Sequence, residues 1–345
     1  MQETTRVLIV DDSASMRRLI RLGIETDPRI EVIAEASSAR EAREAVKVHE
    51  PDVMTLDIMM PEMDGLEFLR RLMRARPMPV LMLSSLTGKG SEEAVRALSL
   101  GAVDCLEKPR FGSAGKLYKQ LAEMLVVAAK AQVRGGRRRL PTMPSIRKVQ
   151  EWQDKMVVVG ASTGGVEALE EMLSAFPRDC PPTLITQHMP AHFLVNFAAR
   201  LNGCCAPEIC LARDGAQLRQ GLVMIAPGGE THMELSADGR RVELRKGPKM
   251  TGHRPSVDAL FRSAVAQAPR VVSVLLTGMG SDGAQGMLAL KKAGAFCIAQ
   301  NEASSVVYGM PRVARDLGAV DISLPLSEIA PRVLKEIALN TEVGA

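Results

Sequence analysis

Short β-rich apolar runs alternate with amphipathic stretches along most of the chain. Such alternation leads to a parallel sheet covered by helices. Before residue 130 the pairs are RVLIV and MRRLIRLGI, EVIAE and REAREAVKV, VMTL and GLEFLRRLM, VLMLS and EEAVRALSL, then DCLE and KLYKQLAEMLVV. These five βα units imply one parallel sheet with helices on both faces. After residue 155 the alternation resumes, with predicted strands at MVVVG, TLITQ, LVMIA, VVSVLLT, AFCIA and DISL. Predicted helices there are VEALEEMLSAF, VDALFRSAVAQ, AQGMLALKKAG and SEIAPRVLKEI. HMELSADGRRVELRK reads as a hairpin turning at Asp238-Gly239. The second half is therefore a doubly wound, mostly parallel α/β domain with an antiparallel hairpin.

Between the two halves lies RGGRRRLPTMPSIRKVQEW, where periodicity stops and Pro141 and Pro144 punctuate a polar segment. A chain of 345 residues has room for two domains. We expect a first domain over 1–130, a basic flexible linker over 131–154 and a second domain over 155–345. The net charge of +4 is mild and aromatics are only 3% of the chain, so the basic run reads as a solvated linker and no nucleic-acid partner is expected. No helix-turn-helix pattern appears. The start, MQETTRVLIVDD, lacks the features of a signal peptide and no apolar stretch is long enough to span a bilayer, so a cytoplasmic location without membrane insertion is expected. The six cysteines show no CxxC spacing and read as free thiols.

Ligands of parallel α/β sheets gather at the carboxyl ends of the strands. In the first half Asp11 and Asp12 follow the first strand, Asp57 ends the third, Ser84 ends the fourth and Lys108 with Pro109 follows the fifth. Three carboxylates suit a hard cation such as Mg²⁺, while an ammonium and a hydroxyl can hold the remaining oxygens of a phosphoryl group. Asp57 can then accept that group. The ordered set DD, LDIMMPEMDG, SS and EKP resembles the receiver domain of bacterial response regulators over residues 4 to 130. The resemblance implies a flavodoxin-like (βα)5 fold, phosphorylation of Asp57 by a histidine kinase, Mg²⁺ held by Asp11, Asp12, Asp57 and the Met59 carbonyl, and phosphoryl sensing by Ser84 and Lys108. Cys105 stands where many receivers carry a Tyr or Phe that swings inward, which puts an aromatic switch in doubt.

In the second half VGASTGGVEAL follows a strand and opens a helix. It has glutamate where a phosphate-binding P-loop needs lysine, and Ser162 where a dinucleotide fingerprint needs its second glycine. Gly160-Ala161-Ser162-Thr163-Gly164 does fit GxSxG, so Ser162 reads either as a helix cap or as a nucleophile displayed on a sharp turn. A serine nucleophile needs a base. Of the five histidines, His49 lies in the first domain, and His188 follows the strand TLITQ at the sheet edge that carries Ser162. His253 is the rival base and His232 can also line the cleft. Pro190 between His188 and His192 argues against a metal site there, so no cofactor is expected in this domain. Asp282, in the glycine-rich loop of LTGMGSDGA, reads either as an N-cap or as the carboxylate that orients the imidazole. Backbone N–H groups in that loop, notably that of Met279, can form an oxyanion hole.

GASTGG, QHMP, IAPGG, HRPSVD and LTGMGSDGA, in this order behind a receiver-like half, resemble the chemotaxis response-regulator protein-glutamate methylesterases. The resemblance implies hydrolysis of glutamyl methyl esters on the cytoplasmic helices of methyl-accepting chemotaxis receptors, release of methanol and deamidation of some receptor glutamines. It implies Ser162, His188 and Asp282 as the catalytic triad, Met279 as the oxyanion-hole residue, and a receiver that covers the esterase cleft until it is phosphorylated. The other reading is a receiver that gates a docking module without chemistry.

Overall fold

The computed structural model describes residues 4–84, 88–108, 115–133 and 154–338. Pro109 and residues 134–153, most of the expected linker with its basic run, lie outside the described residues. The chain divides into two compact units, at residues 1–138 and 139–345.

In the first unit the elements run β1(Thr5–Val10), α1(Ala14–Ile24), β2(Ile30–Ala36), α2(Ala39–His49), β3(Val53–Asp57), α3(Gly65–Ala75), β4(Val80–Ser84), α4(Gly88–Ser99), β5(Asp104–Glu107) and α5(Lys116–Ala128). The sheet order is β2-β1-β3-β4-β5, all parallel, which is the flavodoxin-like order expected. Helix starts follow local chemistry. Ser13, Ser38 and Asp64 accept the N–H of Met16, Glu41 and Glu67, so the orphan donors of α1, α2 and α3 are partly met by short polar side chains. β3 and β4 are buried along their whole length, as the continuous apolar runs require.

In the second unit the order is β6(Met156–Ala161), α6(Gly165–Ser174), β7(Thr183–Gln187), α7(Ala191–Cys204), β8(Glu208–Leu211), β9(Leu222–Ile225), β10(Thr231–Leu235), β11(Val242–Lys246), α8(Val257–Ser263), β12(Val271–Leu275), α9(Ala284–Lys292), β13(Phe296–Gln300), α10(Met310–Asp316), β14(Ile322–Leu324) and α11(Leu326–Ile337). Seven strands form one sheet, β14-β13-β12-β6-β7-β9-β8. Every described pair in it is parallel. Among the named strands of this unit, antiparallel pairing occurs in the separate ribbon β10–β11, where Leu235 faces Val242 across a turn with Gly239 at φ +70°. α7, β8 and α10 are additions to the elements expected from the sequence.

Met156, Val158, Leu184, Phe261, Leu275 and Met287 belong to one continuous buried core on this sheet. The chain moves outward from β6 through β7 and then returns to β12 on the other side of β6. The crevice at the carboxyl ends of β6 and β12 is thus a topological switch point, where ligands of open α/β sheets bind. No described helix is long and apolar enough to cross a membrane.

Candidate active site and phospho-acceptor site

Ser162 and His188 are set side by side by strand register. β6 and β7 pair in parallel as far as Ala161 with Gln187, and the His188 N–H donates to the Ala161 carbonyl at 3.0 Å, so the next residue of each strand reaches the same edge. The Ser162 N–H donates to the Thr277 carbonyl (3.0 Å), and the Ser162 carbonyl accepts from the Gly165 N–H (2.7 Å) and from Gln187 Nε2 (2.9 Å). The turn is sharp because Gly164, at φ +77°, caps α6 with backbone alone, and a Cβ on it would lie 2.6 Å from that of Val306. Ser162 therefore does not cap the helix, which removes the first of its two sequence readings. Its Oγ makes no hydrogen bond among the described residues.

Asp282 lies in the loop after β12, and the cap of α9 is Gly283, with no side-chain hydrogen bond. The N-cap reading of Asp282 for its own helix is corrected accordingly. Its carboxylate sits instead over the start of α8. Oδ1 accepts from Ser256 Oγ (2.8 Å), Thr251 Oγ1 (3.0 Å) and the Asp258 N–H (3.1 Å). Oδ2 accepts from the Val257 N–H (2.7 Å) and from His188 Nε2 (2.7 Å). These partners, with the positive end of the helix, explain how a carboxylate can be 1% exposed. Burial by itself raises its pKa, but the His188 ring, the Val257 N–H and the Ser256 hydroxyl outweigh it and hold the carboxyl down at about 2.

That depression has a sign that can be measured. A carboxyl whose folded pKa is about 2 and whose ordinary value is 3.8 adds stability that is complete above the ordinary value and lost as pH falls toward the folded one. The contribution is roughly 2 kcal/mol at 1.36 kcal/mol per unit. Asp282→Asn should therefore flatten the fall in urea-unfolding free energy over this acid range relative to the wild type. An unchanged slope would mean that the hydrogen bonds do not favour the ionised form.

His232 and His253 divide into distinct parts. His232 is buried in the ribbon and does not line the cleft as the sequence allowed. Its Nε2 donates to the Pro248 carbonyl (2.8 Å) and its Nδ1 accepts from the Ser256 N–H (3.2 Å), which fixes its tautomer and holds the serine that serves Asp282. His253 stacks on His188, with ring centroids 3.8 Å apart and planes 2° from parallel. His188 pairs with Asp282 through Nε2, and its buried Nδ1 has no hydrogen-bond partner. His192, the second residue of α7, is exposed and packs against the Phe193 ring. The Met279 loop closes the arrangement. Gly278 packs so tightly that a Cβ on it would lie 2.6 Å from that of Ser162. Gly278 bonds to Val307, Gly309 and Met310, while the Met279 N–H has no partner among the described residues. Thr251, Ser256 and Gln187 went unnoticed in the sequence; only their closeness to histidines and glycines in TGHRPSVD and QHMP marked them.

In the first unit the acidic residues also converge. Ligand oxygens of Asp11, Asp12 and Asp57 lie within 4.8 Å of one another. Lys108 Nζ is 2.7 Å from Asp57 Oδ2 and 2.8 Å from Asp11 Oδ2. The Lys108 N–H donates to the Ser84 carbonyl, tying the carboxyl ends of β4 and β5 together. The Met59 N–H donates to Asp57 Oδ1 at 3.2 Å, and Met59 is 61% exposed. Burial pushes the Asp57 carboxyl up to about 6, against the pull of Lys108. Three converging carboxylates beside one ammonium fit a hard divalent cation, because the cation relieves a cluster that burial and mutual repulsion destabilise. Cys105 is buried opposite Met82, and burial pushes its thiol up. All six cysteines are free thiols.

These arrangements define a class, a response-regulator receiver joined to an α/β unit with a Ser-His-Asp cluster. Residues 7–121 match the family of response regulator receiver domains and residues 157–333 match the family of CheB methylesterases. The chain is 49% identical to the protein-glutamate methylesterase/protein-glutamine glutaminase of Agrobacterium fabrum, with 97% of each covered. It is 50% identical to protein-glutamate methylesterase/protein-glutamine glutaminase 1 of Caulobacter vibrioides, over 95% of this chain and 97% of that one. The crystal structure of the Thermotoga maritima CheB methylesterase catalytic domain matches at a TM-score of 0.51 and 34% identity, covering 53% of this chain and 98% of that one. The chain belongs to the CheB methylesterase family, in its receiver-bearing form.

Proposed function

We propose that this chain hydrolyses glutamyl methyl esters on the cytoplasmic helices of methyl-accepting chemotaxis receptors, releasing methanol, and deamidates receptor glutamines at the same centre. The observation that carries the reading is the convergence of Ser162, His188 and Asp282 at the switch point, with His188 Nε2 committed to Asp282. In the mechanism, His188 Nδ1 takes the Ser162 proton as Oγ attacks the ester carbonyl, and the Met279 N–H stabilises the oxyanion. The imidazolium is held by Asp282 and returns the proton to the leaving methoxide, or to the leaving nitrogen of an amide, which departs as ammonia. Water, deprotonated by the same nitrogen, then releases the acid and Ser162. The two ring nitrogens thus exchange the roles they have in a chymotrypsin-type triad, where Nδ1 faces the carboxylate.

Residues 1–130 would act as the receiver, 131–154 as a linker and 155–345 as the esterase, in the cytoplasm. Asp57 would accept a phosphoryl group from a chemotaxis histidine kinase, while Asp11, Asp12, Asp57 and the Met59 carbonyl would hold Mg²⁺. The bound ion would neutralise charge on the transferring phosphoryl oxygens. Ser84 and Lys108 then hold those oxygens. With Cys105 in place of an aromatic ring, the signal passes through α4 and neighbouring loops and relieves occlusion of the esterase. A docking module without chemistry is not favoured, given the match to a family of methylesterases.

Methanol release from methylated receptor membranes, with mass spectrometry of the receptor before and after, tests the activity; no methanol and unchanged receptor masses would reject it. For regulation, a small-molecule phosphodonor with Mg²⁺ should raise the activity of the full chain but not of Asp57→Asn. A fragment starting near Gln150 should exceed the unphosphorylated full chain. Equal activity of these two would reject occlusion.

A further inference from the structure

The loop between β11 and α8 touches both partners of the His188–Asp282 pair from one tight turn. Met250 and His253 bridge backbone to backbone in both directions, at 3.0 and 2.8 Å, with Thr251 and Gly252 between them at φ +50° and +86°. A β-branched residue rarely adopts a left-handed conformation, because its Cβ substituents crowd the backbone there. The conformation carries Thr251 Oγ1 to Asp282 Oδ1, 3.0 Å away, although Thr251 itself is solvent-exposed. Two residues on, the His253 ring lies flat against His188. Asp282 Oδ2 is already occupied by His188, and no hydrogen bond joins His253 to Asp282. The rival base of the sequence reading is therefore placed against the other imidazole, outside the chain of hydrogen bonds.

We propose that the turn Thr251–His253 is a clamp for the catalytic pair. Thr251 fixes the rotation of the Asp282 carboxylate, and the His253 ring fixes the plane of His188, so that Nε2 stays on Asp282 and Nδ1 stays free for the Ser162 proton. Both are positioning residues, and the inference rests on the esterase reading above. Strain at an otherwise exposed threonine is what a turn selected only for chain reversal would not need. His253 can stay uncharged in this role. Burial and the adjacent His188 ring push its imidazole down to about 4, with Lys249 adding to the shift and Asp282 opposing it. A neutral ring face can support the imidazolium that forms on His188 during the reaction, whereas a second cation would oppose it.

The test uses the full chain as wild type, Thr251→Val, Thr251→Ser, His253→Ala and His253→Phe, with kinetics on methylated receptor membranes. Thr251→Val and His253→Ala should each lower kcat about tenfold, equivalent to about 1.4 kcal/mol, with KM and Tm near wild type. Thr251→Ser keeps the hydroxyl and His253→Phe keeps a flat ring, so both should recover most of the loss. Selective ¹⁵N-histidine NMR, with His188 assigned by His188→Gln, gives a readout that needs no activity. His188 should be the Nε2–H tautomer in the wild type and a mixture in Thr251→Val and His253→Ala. Wild-type kcat in these two variants together with an unchanged tautomer signal would overturn the clamp. Equal losses in Thr251→Ser and His253→Phe would do the same. If the wild type releases no methanol, the esterase reading fails, and the tautomer comparison still decides the clamp.

Discussion

Ser162→Ala is expected to abolish ester hydrolysis, with a fall in kcat on the order of 10⁶, the loss seen when other serine hydrolases lose their nucleophile. The protein should stay folded. Every hydrogen bond that Ser162 makes in the fold is through its backbone, to Thr277, Gly165 and Gln187, and alanine keeps them all. The measurement is methanol release from methylated receptor by purified variant and wild type at matched Tm. A variant with even a tenth of wild-type turnover would exclude Ser162 as the nucleophile.

Asp282→Asn should cost kcat about 10⁴, less than Ser162→Ala, because the nucleophile and the Met279 N–H remain while the imidazole loses its tautomer and its counter-charge. The amide also brings a structural penalty. Both carboxylate oxygens accept backbone N–H groups, Val257 at Oδ2 and Asp258 at Oδ1, so an amide nitrogen at either place faces a donor. Urea unfolding at neutral pH should therefore show a loss alongside the kinetic defect. A turnover within tenfold of wild type would remove Asp282 from the proton-transfer chain.

The sheets and the residues at their carboxyl edges were legible because the information is local. A strand pattern followed by GASTGG, or by DD before Ser13, states both the element and the place where it ends. α7 was missed although Phe193, Leu194, Phe197, Ala198 and Leu201 are buried at helical spacing. β8 has four residues at the sheet edge with one fully buried position, too few for alternation to register. α10 has seven residues with Pro311 in its first turn. Side-chain partnerships across tens of residues were not legible at all. Nothing local in Thr251 or Ser256 says that each hydroxyl will reach Asp282, or that His232 will hold the Ser256 backbone. The same applies to the choice of His188 nitrogen, which depends on where β12 delivers Asp282 in relation to β7.

The seat of Asp282 on the first turn of α8 has a consequence for how such a chain can change over generations. α8 carries Val257, Leu260 and Phe261 into the middle of the unit, so the carboxylate that orients the base is anchored to a helix whose other face is hydrophobic filler. A mutation at Phe261 that shortens the side chain and lets α8 settle by a fraction of an ångström would tilt the Val257 and Asp258 amides that hold Asp282. Shortening this fully buried side chain would also cost about 3–5 kcal/mol of stability. Selection for turnover and selection for folding therefore act on the same interior residues, and laboratory libraries that vary the core around α8 should lose both together.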